Sequence, residues 1–109
     1  MGDDASVTNC YAMPETAAAC RALLCAVELA RHWTDHGPDE QAAAWLSNSH
    51  RPVDLTDDQW TMLRICQGIW TDTGWPSFGD VMHMKDSRLV RVGVACITFA
   101  AGAPFLLDI

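Results

Sequence analysis

Apolar residues recur at helical spacing through most of the chain. Ala17, Cys20, Leu24 and Val27 follow one another at steps of three and four, with Leu23 and Ala30 beside them. That period predicts an amphipathic helix over 15–35, opened by Pro14 and Glu15 and stopped by Gly37-Pro38. Its opposite stripe, Arg21, Glu28, His32 and Asp35, reads as a solvated face. A second helix is expected over 39–48, entered at Pro38-Asp39-Glu40 and closed by the polar loop Asn48–Pro52.

The strongest local signal is Leu55-Thr56-Asp57-Asp58-Gln59-Trp60. Thr56 as N-cap with Gln59 three residues later makes a capping box, and Leu55 and Trp60 stand at the hydrophobic-staple positions. A helix over 57–73 follows, burying Met62, Leu63, Cys66, Ile69 and Trp70, with Gly74 and Pro76 as its stop. Pro76-Ser77 opens a short helix over 78–84. In the last third, Leu89, Val92, Gly93, Cys96, Ile97 and Ala100 fit a helical period better than alternation, although the Val and Ile content favours strands. We therefore read 87–100 as helix and Phe105-Leu106-Leu107 as a short terminal strand.

The expected fold is mainly α. It is a small helical domain with a winged-helix-like C-terminal half and one or two short terminal β-strands. Residues 1–13 are expected as a loose N-terminal arm and 14–109 as a single compact domain, since 109 residues allow little more.

Residues 55–76 resemble the first helix and turn of a winged-helix DNA-binding domain, most nearly the N-terminal domain of the LexA repressor family, through Leu55-Thr56, Gln59, Thr73-Gly74 and Pro76. The order of elements after them also resembles a winged helix. The resemblance implies that the helix from Ser87 to Ala100 enters the major groove and that Lys85, Arg88 and Arg91 contact DNA. The self-cleaving domain of that family has no counterpart here. The same stretch resembles the TusE/DsrC sulfur-relay proteins through Leu55, Thr56, Trp60, Arg64 and Pro76. Those proteins use a cysteine near the C-terminus, whereas this chain ends Leu106-Leu107-Asp108-Ile109 and its nearest cysteine, Cys96, lies in an apolar run.

Charge changes this picture. The chain carries 14 acids against 7 bases, a net −7. Residues 1–80 hold 12 acids and 4 bases, and three of the seven bases crowd into Lys85–Arg91. Three cations are too few to hold DNA at physiological salt, so direct DNA binding requires a dimer. The favoured function is therefore a non-enzymatic, acidic protein-interaction module. It would be a small inhibitor or regulator, of the phage-type class that includes anti-CRISPR antagonists, acting as a nucleic-acid mimic. The expected partner is a basic protein or nucleic-acid-binding complex. The acidic face is expected from Asp35, Asp39, Glu40, Asp54, Asp57 and Asp58, with Trp75 as an interface aromatic. The alternative is a small winged-helix transcription regulator; third comes a sulfur-relay or other cysteine-dependent protein.

Catalytic and metal chemistry are not expected. No P-loop, G-x-G-x-x-G or G-x-S-x-G occurs. His32 and His36 are four apart, but the residue after His32 is Trp33, so there is no H-E-x-x-H. Five cysteines, at 10, 20, 25, 66 and 96, contain no C-x-x-C and read as reduced, buried, small hydrophobes. Of the five tryptophans, Trp45, Trp60 and Trp70 suit the core, while Trp33 and Trp75 lie at element ends. No cofactor is expected. No apolar run approaches the ~20 residues of a membrane span, and Met1-Gly2-Asp3-Asp4 lacks a cationic leader, so a cytoplasmic location is expected.

Overall fold

The computed structural model describes residues 14–48 and 50–100. It is mainly helical. Helix α1 (Pro14–Cys25) leads through a 3-10 turn (Ala30–His32) into a hairpin of β1 (Trp33–Thr34) and β2 (Gly37–Pro38). Then come α2 (Glu40–Leu46), α3 (Asp57–Thr71), α4 (Phe78–Met82) and α5 (Ser87–Ala100). β1 and β2 are antiparallel, with Trp33 opposite Pro38 and Thr34 opposite Gly37.

Helix α3 is the centre of the molecule, packed against both α1 and α5. Met62, Leu63, Ile65 and Cys66 are all fully buried, so the helix has core on more than one side rather than a single apolar stripe. Its entry is the expected capping box: the Gln59 amide N–H donates to Thr56 Oγ1 (3.1 Å), and the Thr56 N–H donates to Gln59 Oε1 (3.0 Å). It ends at Thr71, where Asp72 takes a left-handed conformation (φ 58°). Ile69 and Trp70, expected in the core, are half-buried. Ser77 and Asp80 form a second capping box at the start of α4.

Residues 87–100 form helix α5, and two glycines fix how its surroundings close. A Cβ on Gly93 would stand 2.7 Å from Val81 Cγ1, so glycine lets α5 cross α4 at close range. A Cβ on Gly68 would overlap the Trp75 indole, which lies flat against α3 at that point. The glycine that weakens α3 as an isolated helix is what lets an aromatic cover it. Helices α3, α4 and α5 form over the stretches expected to be helical. The expected wing strand over 104–109 and the arm over 1–13 lie outside the described residues.

The expected helix over 15–35 is corrected. It stops at Cys25, and the chain reverses through a Schellman motif. The Leu29 N–H donates to the Leu24 carbonyl (2.9 Å) and the Glu28 N–H to the Cys25 carbonyl (3.2 Å), with Glu28 left-handed at φ 64°. A non-glycine there costs roughly 1–2 kcal/mol. The reversal sends Leu29 and Trp33 into the core, where they are 3% and 2% exposed. The sheet among the described residues is accordingly internal rather than terminal. His32, expected on a solvated stripe, is buried.

Candidate functional site

The hairpin and α2 together position one histidine. The Asp39 carboxylate works on both sides of the α2 entry. Its Oδ1 accepts the Ala42 N–H (2.8 Å) as the N-cap of α2, and its Oδ2 accepts from His32 Nδ1 (3.0 Å). The His32 ring packs edge-on to Trp45, with centroids 4.9 Å apart. Only 7% of the His32 side chain is exposed. With Nδ1–H donated to Asp39, the other nitrogen, Nε2, carries the lone pair whenever the ring is neutral. Nε2 has no hydrogen-bond partner among the described residues, yet it is not sealed from solvent, since the one sealed, unpartnered side-chain polar atom among them is Trp33 Nε1.

His32 lines an open cleft of about 340 Å³ where the Schellman turn, α2 and the loop before α3 meet. Leu29 and Leu55 supply its apolar wall, Trp45 an aromatic one, and Glu28, Arg31 and Asp54 its charges. Gln59 is already engaged, donating from Nε2 to the Val27 carbonyl (3.0 Å) and so tying α3 to the turn after α1. None of the lining residues carries a hydroxyl, thiol or amine nucleophile.

The residues expected to form an acidic face have several distinct settings. Asp35 pairs with Arg21 (2.9 Å) and Asp57 with Arg51 (2.8 Å). Asp39 is the cap described above, and Glu40, which follows it, is exposed. Asp58 is structural: its carboxylate accepts the Lys85 N–H (2.9 Å) and the Asp86 N–H (3.2 Å), tying the start of α3 to the entry of α5. Asp54 lies on the cleft with Glu28, a residue assigned to the solvated stripe. Trp75 is half-buried over Gly68, and its Nε1–H donates to Asp72 (3.3 Å). Sequence reasoning missed the cleft because Glu28 and His32, four apart, read as part of a solvated stripe, and Asp54 shares no period with either.

Around the entry of α5, Lys85, Arg88 and Arg91 are exposed. Arg88 folds back onto Asp86, donating from Nε (3.3 Å) and from Nη2 (3.2 Å). That contact holds the Asp86 carboxyl below the usual carboxylate range and raises Arg88. One of the three cations expected to meet phosphate thus already has a carboxylate partner.

The cysteines occupy different environments. Cys20 and Cys66 are buried and exchange long contacts, each Sγ donating to the other's carbonyl (3.8 and 3.6 Å). Hydrogen bonding to Cys20 and burial push the Cys66 thiol well up. Burial, then Cys20, raises the half-buried Cys96. Both are thus held away from the reactive thiolate. Cys25, expected to be buried, is exposed at the end of α1, four residues after Arg21 on the polar side of that helix. Among the described residues no group of three or more His, Cys, Asp or Glu is arranged to hold a metal ion, and no helix is long and apolar enough to cross a membrane. No protein family, curated protein or solved structure matches this chain.

Proposed function

We propose that this chain is a non-enzymatic, acidic interaction module. It acts in the cytoplasm as a small inhibitor or regulator, binding a basic surface of a nucleic-acid-handling protein in the manner of phage-type antagonists such as anti-CRISPR proteins. The observation that carries this reading is the unequal use of charge. Arg21, Arg51 and Arg64 are each paired with an aspartate. Glu15, Glu28, Glu40, Asp54 and Asp72, by contrast, are exposed and have no ion-pair partner among the described residues. An uncompensated acidic surface steers toward a basic partner and repels phosphate.

The test has two arms. An immobilised copy should capture a nucleic-acid-binding protein from the native host. Salt and an excess of duplex DNA should both release it, because they compete for the same cations. Glu40→Lys with Asp54→Lys should slow that association and flatten its salt dependence. In a gel-shift assay at about 0.15 M salt, the chain itself should leave genomic DNA fragments unshifted. A shift that resists competitor and is weakened by Arg88→Ala and Arg91→Ala would replace this reading with the winged-helix regulator. The sulfur-relay reading has less support, since Cys96 is half-buried and its thiol is held protonated.

A further inference from the structure

We propose that the His32 cleft is the seat of a single arginine side chain of the partner; this rests on the reading of the chain as a module for basic surfaces. The cleft is lined by three groups that can accept: the Glu28 carboxylate, the Asp54 carboxylate and, in the neutral ring, His32 Nε2. His32 lines the cleft while Asp39, which holds Nδ1, does not, so in the neutral ring Nε2 is the nitrogen left to accept from a ligand there. A guanidinium brings five N–H groups in a planar fork, more than an ammonium can direct at separated acceptors. The half-buried Trp45 gives that plane an aromatic surface to stack on. Leu29 and Leu55 offer an apolar wall to the methylene stem. Arg31 is the one opposing charge. It is exposed and has no ion-pair partner among the described residues, and two carboxylates outweigh it.

Asp39 acts through His32 rather than on the ligand. It is a positioning residue that fixes the tautomer, so that Nε2 accepts rather than donates. The strained Glu28 puts a carboxylate at the cleft edge, and Asp54 supplies the second from a different part of the chain.

The experiment uses the full chain and two capped tripeptides, Gly-Arg-Gly and Gly-Lys-Gly, with inorganic phosphate as a third probe. Binding is read from the His32 ring and Trp45 indole resonances. The arginine peptide should shift both saturably, and the lysine peptide should bind several-fold more weakly. Glu28→Gln and Asp54→Asn should each weaken the arginine peptide by roughly tenfold, the loss expected for one charged hydrogen bond. Both side chains are exposed, so both variants should keep the fold. Arg31→Ala should tighten binding. A saturable response to phosphate that Arg31→Ala abolishes would overturn the proposal in favour of an anion site. Equal, unsaturable shifts from both peptides would overturn it as diffuse attraction. If the captured basic protein binds undiminished to Glu28→Gln and Asp54→Asn, the arginine seat is wrong while the interaction module stands. If the arginine peptide binds but no basic protein is captured, the module reading fails and the cleft remains a guanidinium site.

Discussion

At Leu55–Trp60 the start of a helix is carried by adjacent side chains. Thr56 and Gln59 satisfy each other's backbone N–H groups, so the entry forms from six residues with little outside help. At Ala26–Leu29 the end of a helix is carried by no recognisable residue type. Glu28 stands where glycine is usual, and the stop exists because Leu29 and Trp33 have somewhere to be buried. The first kind of boundary can be read from neighbours in the chain. The second is imposed by neighbours in space, and it is the one that creates the cleft, by turning Glu28 and His32 toward Asp54.

If both boundaries serve one core, core truncation on either side should have the largest effect and should not separate the halves. Leu24→Ala in α1 and Leu63→Ala in α3 are each expected to cost about 2–5 kcal/mol, because both side chains are fully buried. Denaturant unfolding followed by circular dichroism and by tryptophan fluorescence should give coincident single transitions. Separate transitions would divide the molecule at α1.

Gly68→Ala should come next, at about 1–3 kcal/mol, since the new methyl displaces the Trp75 indole. The same variant should red-shift tryptophan emission, which a purely helical propensity effect would not do; propensity alone would favour alanine here.

The caps sharpen the comparison more finely. Thr56→Ala should cost on the order of 1 kcal/mol by leaving a first-turn N–H unpaired. Asp39→Ala should cost at least as much, because the same carboxylate also holds His32, and it alone should alter the His32 ring resonances. Equal and featureless losses would remove the distinction between a local cap and one that builds the site.

The smallest effect has the opposite sign. Glu28→Gly should stabilise the fold by about 0.5–1 kcal/mol, since glycine adopts the left-handed conformation without the side-chain penalty. A destabilised Glu28→Gly would mean that its carboxylate contributes to the fold, beyond its place at the cleft.

Sequence alone determined the helices whose signals are local: α2 behind Asp39, α3 behind Thr56 and α4 behind Ser77, together with α5, whose apolar period outweighed its β-branched content. It also determined the excess of acid in the first 80 residues. Tertiary structure decided where α1 ends, because periodicity continues through Val27 and Ala30 whether or not the chain turns. It decided that His32, which shares the polar stripe with Arg21 and Glu28, is buried. It decided which acids are free: Asp58 is used on backbone N–H groups 27 and 28 residues away, a contact that no spacing announces. The physical reason is common to all of these. Caps and periods act within one or two turns of a helix and leave a mark in the sequence. A reversal that gains its stability from burial, or a carboxylate that finds its partner across the fold, depends on surfaces that exist only once the chain has packed.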